Sequence, residues 1–523
     1  MTYIVKQKIK GRLYEYKVEA YWDKEKKQSR QKRTYIGPVE PKNKMYKSNK
    51  DAECSGHKAY AKKIIRKSIG NIIFLSFIMD KLKLKKLIET HFPEDADNIL
   101  GLIMYEIINN TPSYLYRYWQ EEHYLPKSNV LYSKNISALY HRIGENQQGM
   151  LNFQNDWIKN ISPDDAIFFD ITSFSSYSKN IASVEWGYNR DGEKLAQINM
   201  GAAFSNSKSL PVFYKTYPGN IVDVSTLKNA AKYMQGFGIT DYMFVLDRGF
   251  YSGANITELN EKKIGFLIPM PFSLNATKQL IKQHKKDLHN QKNYFVYEKE
   301  ILSYVKSKVK INNCEYHAHM FLNEKAELDQ RHKLLQELKI IEKQISKKTF
   351  DSVKLATGFK EDNIKTSYVK FFKWNKKTKH IEVNSLEFNK HIAKFGYFIL
   401  LTNNEKLTRD TALSKYRDKD KVEKGFNIIK NEMDGNRLRV HSEENMDAML
   451  FIRFMALIVH SEIIRVMRAN DMFKKISVKE LLLELKKIKH TKVGDEVIIS
   501  EIAKKQKEIF STFGIDWKNL HSY

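Results

Sequence analysis

Residues 166–174 read AIFFDITSF, and residues 242–250 read YMFVLDRGF. Each is a short apolar run, rich in Phe, Ile and Val, that reaches an aspartate: Asp170 in the first and Asp247 in the second. Runs of this length and composition predict strands buried on both faces. Working outward, residues 194–204 and 210–217 read as two further strands joined by the polar turn Ser205–Ser209. A helix at 225–234 precedes the Asp247 strand, and a helix at 252–263 and a strand at 264–270 follow it. The order is β-β-β-α-β-α-β, with an acid ending the first and the fourth strand. In a layered α/β sheet, ligands collect at such strand ends.

A third stretch supplies the remaining acid. Residues 416–430 read YRDKDKVEKGFNIIK. Read as one helix, Tyr416, Lys419, Glu423 and Lys430 return to a single face, because 3.6 residues make a turn. Val422, Phe426 and Ile429 form an apolar stripe beside it. Such a polar stripe is either a solvated helix face or the wall of a site. The two strand-end aspartates favour the wall. Two aspartates and a later helix glutamate are what a two-metal phosphoryl-transfer site needs, since hard divalent cations take oxygen ligands and a shared carboxylate bridges them. Together these features predict an α/β protein with an RNase-H-like catalytic core.

Composition narrows the partner. The formal net charge of the 523-residue chain is +28, which favours a polyanion, with nucleic acid first. Cys54 and Cys314 are too far apart to suggest a disulfide framework or a zinc motif. Residues 72–79 are too short an apolar run for a membrane span, and Arg453 interrupts the longer run at 448–460. The expectation is a soluble cytoplasmic protein without a membrane partner.

The rest of the chain divides by texture. Residues 1–50 alternate apolar and polar positions, with a turn at Lys10-Gly11-Arg12 and a basic run at Lys24–Arg33, and predict a β-hairpin. Its basic residues and aromatics either grip nucleic acid or form an ordinary charged hairpin. Residues 51–160 have apolar positions at helical spacing on a basic background, and read either as a DNA-binding region or as a helical packing domain. Residues 161–270 and 396–470 form the predicted core. Between them, residues 271–395 predict a mainly β insertion with one long charged helix, and residues 471–523 a helical tail ending in a hairpin from His490. Trp186 and Trp374 read as packing residues, with stacking on an extruded base as the alternative.

FFDITSF, VLDRGFYS and the pattern Y-x2-K-x3-E-x6-K resemble the catalytic motifs of bacterial insertion-sequence transposases of the Asp-Asp-Glu (DDE) type. The third motif is similar to the Tyr-Arg-Glu-Lys signature of the subgroup with a β-rich insertion before the glutamate. PGNIVDVSTL, at 218–227, resembles the segment these proteins carry between their two aspartates, and YWDKEKKQSRQKRTYIGP, at 21–38, resembles the start of their longer members. The resemblance implies DNA cleavage and strand transfer at transposon ends. Asp170, Asp247 and Glu423 would hold two Mg²⁺ ions, with Mn²⁺ as the alternative metal. Tyr416, Lys419 and Lys430, and Arg248 beside Asp247, would contact DNA phosphates. A homodimer would join paired ends of double-stranded DNA. One position departs from the signature: Lys419 stands where arginine is usual and lacks its bidentate fork. The rivals are a nuclease on the same core that cuts without joining, and a catalytically silent DNA-binding copy.

Overall fold

The computed structural model describes residues 2–9, 12–23, 26–38, 64–109, 111–125, 130–161, 166–221, 223–346, 348–432 and 437–522. The expectations that fall on 10–11, 24–25 and 39–63, Cys54 among them, lie outside the described residues. The chain forms two compact units, Met1–Lys62 and Lys63–Tyr523.

In the first unit, strands β1 (Thr2–Ile9), β2 (Arg12–Asp23) and β3 (Gln28–Pro38) form an antiparallel meander. The expected hairpin thus gains a third strand, because the later part of the basic run pairs with β2 from Asp23↔Gln28 onward. Tyr35 supports the pairing by packing edge-on against Tyr16, with ring centroids 5.6 Å apart.

The second unit begins with β4 (Ile64–Ser68) and six helices: α1 (Gly70–Lys81), α2 (Leu84–His91), α3 (Ala96–Ile108), α4 (Tyr116–Glu122), α5 (Ser133–Glu145) and α6 (Gln147–Ile161). The core sheet follows in the predicted order: β5 (Ala166–Ser176), β6 (Gln197–Ser205), β7 (Pro211–Pro218), α7 (Asp223–Gly236), β8 (Met243–Val245), α8 (Gly253–Glu261) and β9 (Gly265–Pro269). Strands β5, β8 and β9 run parallel, while β6 pairs antiparallel with β5 and β7 antiparallel with β6. The spatial order β7-β6-β5-β8-β9 is that of an RNase-H-like sheet. Nearly every residue of β5 and β6 is buried, as expected of strands covered by helices on both faces.

The segment from 271 to 395 departs from the mainly β body expected of it. Helix α9 (Asn275–Leu288) leads into β10 (Tyr294–Tyr297), β11 (Glu300–Ile311) and β12 (Cys314–Leu322). These strands prolong the core sheet, because β12 pairs with β15 (Tyr397–Thr402), which itself pairs with β9. What remains is largely helical: α10 (Glu324–Ile345), α11 (Val353–Asn363), α12 (Thr366–Val369) and α13 (Ser385–Ile392). With a two-stranded ribbon of β13 (Phe372–Trp374) and β14 (Ile381–Val383), they enclose a small apolar core around Leu334, Leu338 and Phe371. The aromatic residues of 363–383 fill this local core, and only two short strands form there instead of a long pleated ladder.

After β15 come α14 (Arg409–Arg417), α15 (Asp420–Asn427) and a π-helical turn at Ile428–Glu432. Strand β16 (Arg437–Leu438) then pairs with the far end of β5. Helix α16 (Glu443–Ala469) is apolar almost all round and packs against α1, α3 and α5. Its interrupting Arg453 is matched by Glu106 of α3 at 3.4 Å, with side chains 5% and 4% exposed. The chain ends with α17 (Val478–Leu485), capped by Ser477, then β17 (Lys489–Val493), β18 (Glu496–Ile499) and α18 (Lys504–Phe513). The hairpin β17–β18 pairs with β4 and closes the unit on itself. Among the described residues, no helix is long and apolar enough to cross a membrane.

Candidate active site

Two neighbouring parallel strands bring the aspartates together. Residue 168 of β5 is level with residue 245 of β8. Two residues further along each chain come Asp170 and Asp247, near enough for the charge of Asp247 to act on Asp170. Asp170 remains within β5, level with Ala202 of β6, and accepts from the Ile171 N–H at 2.8 Å. Asp247 lies just past β8, where its carbonyl accepts from Phe250 N–H in a single 3-10 turn.

The electrostatics record that proximity. The pKa of Asp170 is pushed up to about 7, first by burial away from water and second by the charge of Asp247. The Ile171 N–H, Lys419 and Arg190 only partly offset this. A carboxylate pair of this kind calls for a cation.

Glu423 arrives from α15. The stretch expected to be one helix is three pieces. At the end of α14 the ladder tightens, and Lys419 N–H donates to the Tyr416 carbonyl three residues back. Helix α15 then starts at Asp420, and the π-turn follows it. The predicted face is therefore divided. Lys419 and Glu423 still share a side one turn apart, but Lys430 is carried elsewhere by the wider turn. Gly425 lets α15 lie close to β6, where a Cβ would run into the buried ring of Phe204.

Lys419 links the helix to the strands. Its amine hydrogen-bonds the Asp247 carboxylate and stands 3.2 Å from Glu423 Oε1. The Lys419 side chain is 9% exposed, while Glu423 is 57% exposed. Burial alone would lower the lysine pKa, but the hydrogen bond and charge of Asp247, with Glu423 beyond, raise it above the ordinary value. Tyr416 is half-buried beside them, and burial raises its hydroxyl pKa. Among the described residues, no three carboxylate, imidazole or thiol side chains are gathered as a ready metal cluster. The donor chemistry nonetheless suits a hard divalent cation: Asp170, Asp247 and Glu423 offer only oxygen, and one ammonium already joins two of them.

The other predicted contacts separate. Arg248 is exposed and lies over the Phe272 ring, 5.1 Å from its centroid. With Tyr416 and Arg417 it lines a groove of about 620 Å³. Arg417 turns away to an ion pair with Glu300. Lys430 is buried in a 2.5 Å ion pair with Asp191, near the Phe174 ring, so it faces the β5–β6 connection, not the aspartates. Trp186 is 69% exposed, against the packing expected of it. Trp374 does pack, and donates to the Phe350 carbonyl at 3.0 Å.

Sequence reasoning missed Arg190. It donates to Ser173 Oγ at 3.1 Å, and Ser173 donates to Asn199 at 3.0 Å. This folds the β5–β6 connection back along β5 and brings a positive charge toward Asp170. The turn-prone Asn189–Gly192 was the available signal, but it does not say where the loop returns.

Residues 161–459, more than half of the chain, match the family model described as transposase DDE domain. No curated protein matches the chain. A likeness to a solved structure, the piggyBac transposase synaptic complex with hairpin DNA, has 9% identity and a TM-score of 0.35, and covers 75% of this chain and 70% of that one.

Proposed function

This chain belongs to the DDE transposase family, and on that premise we propose that Asp170, Asp247 and Glu423 are its three catalytic carboxylates. The family reaction is metal-dependent DNA cleavage and strand transfer in DNA transposition. The observation that carries the residue assignment is Lys419 joining Asp247 to Glu423, with Asp247 near enough to Asp170 for its charge to raise that carboxyl's pKa.

In this reading the three carboxylates hold two Mg²⁺ ions, with Mn²⁺ as a substitute. Bound there, the ions supply charge stabilisation to the reacting phosphate and a more acidic attacking hydroxyl. Asp170 and Asp247 fix the site to the rigid sheet, and Glu423 closes it from α15. Lys419 holds α15 against Asp247 and offers positive charge to the same phosphate. Arg248 and Tyr416, at the mouth of the groove, position the DNA backbone. Lys430, through Asp191, secures the β5–β6 connection beside the site. Two copies act together on paired ends of double-stranded DNA.

The test is cleavage of DNA carrying the repeats that flank the gene, with Mg²⁺, comparing the parent with Glu423→Gln. The parent is expected to cut at the repeat ends and to join them to target DNA. The variant should bind with similar affinity and lose cleavage by at least a thousandfold, on the order of an essential metal ligand. Equal cutting by both would make Glu423 a mere helix-face carboxylate. Cutting without joining would instead indicate a nuclease, and binding without cutting by either would indicate a silent copy.

A further inference from the structure

Beyond the carboxylates, one strongly charged surface has no role in the chemistry. A groove of about 750 Å³ opens between α9 and the α12–α13 region. Lys278, Lys282 and Lys285 line one wall, and Lys370, Lys390 and Lys394 the other. Glu387 is the one acid in this lining, and it is already paired with Lys390 at 2.9 Å. No ion pair of the other five lysines is found among the described residues.

The row on α9 follows from its sequence. Lys278, Lys282 and Lys285 are spaced by four and three residues, and so share one face. The opposite face, with Thr277, Leu280 and Leu288, is buried against the sheet. At 1.5 Å per residue the three amines span roughly 10 Å. Duplex DNA carries a charge about every 1.7 Å of its axis, so such a row meets several phosphates. Six lysines facing one another repel unless a polyanion neutralises them. Burial, followed by the charges of Lys370 and Arg248, already depresses the Lys394 pKa.

The groove is also continuous with the one beside the candidate active site. Phe272, His391 and Lys394 line both it and the groove that holds Arg248 and Tyr416. A path of cations therefore leads from the residue next to Asp247, through Lys394, to the α9 row.

We infer that this lysine groove is a sequence-independent track for the phosphate backbone of duplex DNA as it leaves the catalytic centre. This rests on the chain's being a DNA transposase. Contact is made by point charges, without base recognition, so the track holds whichever sequence is threaded through it. It takes one arm of the duplex, either the transposon side or the flanking side of the scissile phosphate.

The test uses the full-length protein with Lys278, Lys282 and Lys285 all changed to Gln, and a second variant with all three changed to Arg. These lysines are exposed and lie outside the catalytic set, so folding should survive. Fluorescence anisotropy would measure binding, across a salt series, to two duplexes that extend mainly to one or the other side of the cleavage point. The parent should bind both. The Gln variant should lose roughly tenfold or more in affinity on one of them, and its salt slope there should fall by about 0.9 per lost phosphate contact, to a total near 2.7. The Arg variant should keep the parental slope. The extension that shows the loss identifies the arm.

Unchanged slopes on both duplexes would overturn the inference. So would a Gln variant that changes only self-association without DNA, since the groove would then receive acidic surface from a second copy. If the parent itself bound neither duplex, the functional reading would fail along with it, and that outcome is separate from a loss confined to the variant.

Discussion

Asp170 shows how far a single carboxyl can be displaced by its surroundings. Its pKa of about 7, caused first by burial and then by Asp247, lies well above the value of about 3.9 it has in an unfolded chain. Below about pH 4 the group is protonated in both states and costs nothing. As pH rises toward 7 the unfolded chain ionises freely while the folded one resists, so stability is lost across that window. Asp170→Asn removes the penalty. In chelator, the variant should be more stable than the parent at pH 8 by on the order of 2–4 kcal/mol, and the gap should close by about pH 4. Urea titrations at the two pH values would decide it, and a variant less stable than the parent at pH 8 would sink the idea. The two aspartates were legible as candidates because each interrupts an apolar run, although Asp170 lies inside β5 and not at its end as the sequence suggested. The partner of Lys419 was not. Its spacing from Glu423 gave a shared face, but only the fold brings Asp247 to the amine.

At the scale of the element, the approach of α15 to β6 depends on the missing side chain at Gly425. Gly425→Ala would press a methyl group into the Phe204 ring, which cannot move freely because it is buried. The helix should shift outward and take Glu423 with it. Misplacement by about 1 Å costs on the order of a hundredfold in rate. Cleavage should therefore fall by about that factor while DNA affinity stays within about twofold, as paired kinetic and anisotropy measurements would show. Parental cleavage would mean that α15 tolerates the methyl and that its seating is not what sets the site. The strands and helices around both aspartates were readable from periodicity, since apolar runs of five to ten residues with clear breaks leave little choice. The division of 416–432 into two helices and a π-turn was not readable. Its charged sequence fits a continuous helix equally well, and the interruption is imposed by contacts with β5, β6 and Asp191.

For the molecule as a whole, the segment between β9 and β15 is less separable than its position in the sequence implies. Strand β15 is hydrogen-bonded to β9 on one side and β12 on the other. Replacing 271–395 with a short linker would bare the apolar strand YFILLT along one edge, an invitation to intermolecular pairing. The expected result is loss of soluble monomer, measured by size-exclusion chromatography. A monomeric deletion with a parental melting transition would show that the sheet does not need β12. The sequence read this segment as a β-rich body because it cannot say which strands pair with one another and which join a sheet begun a hundred residues earlier. The same continuity also sets a timetable. Asp247 and the lysine that ties α15 to it are 172 residues apart. At ribosomal speeds of about 5–20 residues per second, roughly 9–34 seconds separate their synthesis. On the proposed assignment, the nascent protein carries Asp170 and Asp247 on a partly built sheet during that interval, and Glu423 reaches them only once α15 has emerged and docked, so DNA cleavage is expected to await that step.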